Sequence, residues 1–224
     1  MLGFYRSTVG KKVVMAVTGL IGIGFVIVHM AGNLQVFAGA NRINAYGGLL
    51  HGPLAEVTWA LRIVLLIAVV LHIVMAVQLT RRASAARPIG YAHHELQVAT
   101  IASRTMRWGG LLIAVFVVVH LLHFTTQRID PAGWEGKTDA GRHRDIYGNI
   151  VASFHIWWVT AFYVIAMIAL GLHLYHGAWS SLRTLGYAKR STRPLERRIA
   201  LLVAVIVWAG FTLVPLGVVA GVIR

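Results

Sequence analysis

The chain contains no cysteine, only 7 acidic residues and, at 12% charged, few charges of either sign. The missing thiols remove disulfide frameworks, thiolate zinc sites, iron–sulfur ligation and a cysteine nucleophile, so any bound metal must be held by nitrogen or oxygen. The scarcity of charge removes most soluble classes, since a soluble domain carries about a quarter charged residues. What fills the 224 residues instead is 58% hydrophobic, with 23 glycines, 11 histidines, and 21 Lys and Arg that set the net charge at +14. A mean hydropathy of +0.71 makes lipid the expected solvent.

Five stretches of 18 or more residues lack Lys, Arg, Asp and Glu altogether: 13–41, 63–80, 108–127, 146–182 and 199–223. A bilayer core of about 30 Å takes about 20 helical residues. The chain is therefore expected to be all-α, one membrane domain over 1–224, with spans near 13–38, 57–80, 108–126, 153–180 and 199–222. Arg62 can snorkel from the start of the second span, and Pro215 is expected to kink the last. Segment 93–107 mixes apolar and basic residues, as a short interfacial helix or an ordinary connector would. Lys11, Lys12 and Ala38-Gly39-Ala40 have the outline of a signal peptide, but the apolar run between them is far longer than a signal core.

Basic residues flanking spans stay on the cytoplasmic face. Fourteen of the 21 fall on one side: Arg6, Lys11 and Lys12, then Arg81, Arg82, Arg87, Arg104 and Arg107, then Arg183, Lys189, Arg190, Arg193, Arg197 and Arg198. This places the N-terminus inside and the C-terminus outside. The same residues would serve as topology signals or as a docking face for a partner and anionic lipid. A pI near 11.3 raises nucleic-acid binding, but no soluble basic domain is present to present a groove-reading element, so none is expected.

Polar groups inside spans are costly and mark function by default, and here they are nearly all histidines. His29 lies in the first span, His72 in the second, His120 and His123 in the third, and His155, His173 and His176 in the fourth. At about 1.5 Å per residue, His29 and His120 sit roughly 9 to 14 Å from the outer ends of their helices, and His72 and His173 roughly 10 to 12 Å from the inner ends. Two histidines at each of two levels, on four antiparallel helices, is what two haems stacked in a bundle would require. A second imidazole on the iron closes it to substrate and leaves electron transfer as the task. A lone intramembrane histidine more often makes an interhelical hydrogen bond; the match in depth favours ligation. Glycines 19, 22, 24, 32, 109, 110, 171 and 177 would admit a macrocycle or simply let helices pack closely.

The stretches Ile27-Val28-His29-Met30 to Asn33, Val70-Leu71-His72, Val118-Val119-His120-Leu121-Leu122-His123-Phe124 and Gly171-Leu172-His173-Leu174-Tyr175-His176-Gly177-Ala178-Trp179-Ser180 resemble the single-chain, five-helix cytochrome b anchors of bacterial succinate dehydrogenase and fumarate reductase. The resemblance covers nearly the whole chain. Its most specific part is His173-x-x-x-Gly177-x-Trp179-Ser180. It implies two haem b groups in the bundle of the first four spans, held by His29 with His120 (distal) and His72 with His173 (proximal). His123 and His176 are the alternatives, one helical turn away.

The resemblance further implies a respiratory complex in the bacterial cytoplasmic membrane. A flavoprotein subunit would oxidise succinate, an iron–sulfur subunit would dock on the basic inner face, and this anchor would pass electrons to a quinone, with menaquinone expected. No dicarboxylate site is expected on this chain, and higher-order assembly of the complex is left open. The one acidic group near a span, Glu56, lies with His51 and Arg62 at the outer mouth of the second span, which makes these three the candidate quinone contacts. Arg6, Arg62 and Arg107 are candidate partners for haem propionates. Alternatives are a dihaem cytochrome b of a hydrogenase or formate dehydrogenase, a haem-free anchor, and a small transporter with structural histidines. Against the last, the spans hold no midplane carboxylate and no paired inverted repeat.

Overall fold

A computed structural model describes residues 2–86, 100–139, 144–187 and 191–224. Among them the chain is all-α: α1 (Leu2–Arg6), α2 (Thr8–Asn33), α3 (Ala40–His51), α4 (Ala55–Ala85), α5 (Ile101–His120), α6 (Ile146–Phe154), α7 (Trp157–Thr184) and α8 (Arg193–Val219). Five helical stretches are long and apolar enough to cross a membrane: Thr8–Ala38, Ala55–Ala85, Ile101–Thr125, Trp157–Thr184 and Pro194–Val219. This is the pattern of a multi-pass membrane protein. Segment 93–107 falls partly outside the described residues; its last part, from Ile101, is the first two turns of α5.

Helix ends follow local chemistry. Ser7 caps α2 through a bond from the Gly10 amide, and Thr100 caps α5 through one from Ser103. A 3₁₀ turn, Leu34–Ala38, prolongs α2 until Gly39, whose φ of 94° a side-chain-bearing residue would resist. Pro215 sits inside α8, which runs on to Val219.

The long uncharged run 146–182 is two helices and not the start of a single span. Asp145 caps α6 by accepting from the Gly148 amide at 3.0 Å, and Ile156 takes an extended conformation that stops the helix before α7 begins. Thr160 Oγ1 then donates to the freed Phe154 carbonyl at 2.7 Å. His155 is consequently not a span residue: it lies exposed at the α6–α7 corner. No proline or charge marks this break, because the polar group at it is a single threonine bonded to a backbone carbonyl.

Side chains place the ends of the bundle. Lys11 Nζ bonds Gln78 Oε1, and Arg82 donates to the Arg6 carbonyl at 2.8 Å, so α1, the start of α2 and the end of α4 share one basic end. At the other end α3 and α6 lie together as a cap. Buried Asn44 of α3 accepts from the amides of Ile146 and Tyr147 at 2.9 and 3.0 Å and donates to Asp145 at 3.1 Å. Here Val36, Ile43, Ile150, Phe154, Val159, Tyr163, Val214 and Val218 form the larger apolar core. α7 packs on α8, α5 and α2, and α2 also on α4. α4 and α5 are thus outer helices, each held in the bundle chiefly by one long neighbour.

Candidate functional site

The structure brings four of the six span histidines together as two pairs. His29 of α2 faces His120 of α5 with ring centroids 5.9 Å apart and planes at 76°. His72 of α4 faces His173 of α7 at 6.1 Å and 61°. Neither pair joins helices that pack closely on each other: both cross from an outer helix to a central one further away.

Ring nitrogens in each pair have defined partners. His72 Nδ1 lies 3.1 Å from the Met15 carbonyl, which can only accept, so Nδ1 carries the proton and Nε2 keeps its lone pair. Thr18 Oγ1, whose own proton goes to the Val14 carbonyl at 2.8 Å, lies 3.2 Å from the same nitrogen. His173 Nδ1 is buried with no hydrogen-bond partner. His120 Nδ1 lies 3.4 Å from the Tyr163 hydroxyl. Asn33 Nδ2 is within 3.4 Å of both His29 nitrogens while donating to the His29 carbonyl at 2.8 Å.

The alternatives behave differently. His123 is buried, with Nδ1 3.0 Å from Tyr163 Oη and Nε2 3.0 Å from Ser153 Oγ, so both its nitrogens are engaged within the protein. It stands in a π-helical turn, Leu121–Thr125, that widens the end of α5. His176 packs edge-on to Trp179, with ring centroids 5.3 Å apart, and its Nδ1 is buried without a partner.

Small residues border the inner pair. A Cβ on Gly19 would lie 3.3 Å from the His72 ring, and one on Gly110 3.8 Å from the His173 ring. Gly32 and Gly171 instead admit Tyr46 and Trp208, while Gly22, Gly24, Gly109 and Gly177 border open space. An apolar cleft of about 290 Å³ between α5 and α7 includes Gly109, Leu112, Leu172 and His173 in its wall. Among the described residues no three His, Asp or Glu side chains converge, so the available ligand sets are pairs.

At the mouth of α4, Arg62 Nη2 is 3.3 Å from His51 Nε2, and His51 Nδ1 lies 2.8 Å from the Gly47 carbonyl. Arg62 also lies over the Trp59 ring at 5.0 Å. Glu56 stands exposed in the first turn of α4, joined to neither by any hydrogen bond or ion pair. Of the three candidate quinone contacts, two are together and one is apart.

Outside the spans, slight burial pushes the Asp130 carboxyl up, but the amides of Trp134, Glu135, Ala132 and Gly133 outweigh this and hold it below its ordinary value of 3.8. Residue patterns missed the Tyr163–His123–Ser153 contacts, because these join three separate helical segments.

Fold and site together define a five-span, all-α chain with two facing histidine pairs. No family model, curated protein or solved structure matches it.

Proposed function

We propose that the chain is the membrane anchor and dihaem cytochrome b subunit of a succinate:quinone oxidoreductase, with bis-histidine sites at His29/His120 and His72/His173. The observation that carries this is the spacing of the two pairs. A metal–imidazole bond is about 2 Å, and the ring centre lies roughly 1 Å behind the nitrogen, so two imidazoles on opposite sides of one metal have centres about 6 Å apart. The distances are 5.9 and 6.1 Å. Edge-to-face ring packing alone also occupies this range; the recurrence of the same spacing at two levels on four helices favours ligation, and the Met15 carbonyl on His72 Nδ1 leaves Nε2 available for it.

The residues fit the group. Each pair offers two imidazoles, Gly19 and Gly110 leave room beside the inner rings, and an apolar cleft adjoins His173. Haem b bound there supplies reversible one-electron transfer with no open coordination position. The chain's own part is to hold the imidazoles, fix their tautomers and exclude water. Its basic end would dock the iron–sulfur subunit beside a flavoprotein subunit, with that end in the bacterial cytoplasm and menaquinone as acceptor. The quinone contact is proposed at the mouth of α4 with His51, Arg62 and Glu56; full quinone-coupled turnover in a Glu56→Gln chain would remove Glu56 from it.

The test is pigment. The purified complex should show a Soret band and two haem b per chain by pyridine haemochrome. His72→Ala or His173→Ala should remove one haem and spare the other. Absence of the band, or both haems surviving either substitution, would overturn the proposal. Co-purification with a nickel or molybdenum enzyme in place of a flavoprotein would shift it to another quinone-linked dihaem cytochrome b.

A further inference from the structure

The buried polar atoms around Tyr163 form a chain across α5, α7 and α6. His120 Nδ1 is 3.4 Å from Tyr163 Oη, which is 3.0 Å from His123 Nδ1; His123 Nε2 is 3.0 Å from Ser153 Oγ, which is 3.0 Å from Asn149 Oδ1. Its proton order can be worked back from the far end. An amide oxygen only accepts, so the one Ser153 hydroxyl proton goes to Asn149. Ser153 Oγ must then accept from His123 Nε2–H. A neutral His123 therefore has a bare Nδ1, which takes the one phenolic proton of Tyr163. The Tyr163 oxygen is left able only to accept, and its remaining neighbour is His120 Nδ1–H. The rings of Phe116, Phe124, Phe154 and Phe162 surround Tyr163 and keep competing water away.

We infer that Asn149, Ser153, His123 and Tyr163 form a one-way hydrogen-bond chain that fixes the tautomer of His120, with Nδ1 protonated and Nε2 bare. Tyr163 is accordingly a positioning residue for His120, and His123 belongs to the support of the outer pair. The backbone carbonyl of Met15 does the same for His72 at the inner pair. The consequence for a bound haem rests on the function proposed above; the tautomer does not. A donor bond from Nδ1 makes an imidazole a stronger ligand and favours the oxidised metal, so losing the acceptor should raise the potential of the outer site alone.

Two measurements on the full chain test this. In ¹⁵N-histidine-labelled protein, with His120→Gln used to assign the signal, the ring-nitrogen shifts should show His120 as the Nδ1–H tautomer and His123 as Nε2–H. Tyr163→Phe should convert His120 to a mixture. An Nε2–H His120 in the unsubstituted chain, or a tautomer unmoved by Tyr163→Phe, overturns the inference whether or not haem is bound. In the pigmented complex, Tyr163→Phe should raise one of two midpoint potentials and leave the other; two unchanged potentials overturn it. If Tyr163→Phe does not fold, Ser153→Ala should shift the same potential in the same direction by less, and its failure to do so counts equally against the chain. A protein that takes up no haem yet shows the expected tautomers defeats the proposed function and leaves this inference standing.

Discussion

Asn44 is buried to 1% exposure and meets α6 with both ends of its amide: Oδ1 takes the amides of Ile146 and Tyr147, and Nδ2 reaches Asp145. Those two amides are first-turn donors with no partner inside their own helix. Asn44→Ala should therefore destabilise the cap by about 2 kcal/mol, with faster amide exchange at 146–149 and little change at the basic end. The same scale gives a pH effect. Asp130, held below 3.8 by backbone amides, contributes loop stability that is present above its unfolded value and is lost as pH falls through the lowered folded value. Amide protection at 132–135, taken relative to intrinsic exchange at each pH, should fall on acidification, and Asp130→Asn should abolish that dependence; an unchanged acid response in the variant would refute the assignment. At this scale the four histidines were legible, because an imidazole in an apolar run stands out. Tyr163, Ser153 and Asn44 were not, since hydroxyls and amides acquire their meaning only from partners on other helices.

Elements sort by how their ends are made. The five spans could be read from runs without charge, because a membrane-length helix needs nothing more specific. The corner at His155–Ile156 and the cap helices α3 and α6 could not, since the corner rests on one threonine-to-carbonyl bond within an apolar run and the cap on hydrogen bonds between helices distant in sequence. The π-helical end of α5 was equally hidden: it makes the three-residue step from His120 to His123 something other than a simple α-helical turn. Close approach between elements yields a direct test of the inner pair. A Cβ on Gly19 would already be 3.3 Å from the His72 ring, so the branches of valine must displace the ring or part α2 from α4. If the chain holds the two haems proposed above, Gly19→Val should cost it the one at His72/His173, halving the pyridine haemochrome yield while the other signal remains. Retention of both haems would mean that α2 and α4 part without disturbing the site.

On the scale of the molecule, α2, α7 and α8 form the packed centre, with α4 and α5 leaning on it from two sides. Each histidine pair crosses from an outer helix to a central helix that it does not closely pack against. A group held by both rings would therefore tie α4 to α7 and α5 to α2. Because it would bind the folded arrangement alone, it would stabilise that arrangement, and removal of pigment should loosen α4 and α5 before α7 and α8, as limited proteolysis would register.

The orientation of this assembly rests on charge, and the lack of cysteine makes it easy to test. Ser84 lies exposed near the basic end of α4, and Glu135 lies exposed in the loop between α5 and α6 at the capped end. With no native thiol to react, a single Ser84→Cys or Glu135→Cys reports its side without background. The excess of Lys and Arg at the α1 end should keep that end in the cytoplasm. In intact cells a membrane-impermeant maleimide should therefore label Glu135→Cys at once and Ser84→Cys only after permeabilisation. The reverse pattern would put the basic end outside, where no cytoplasmic iron–sulfur partner reaches it, and the proposed direction of electron flow would fail with it.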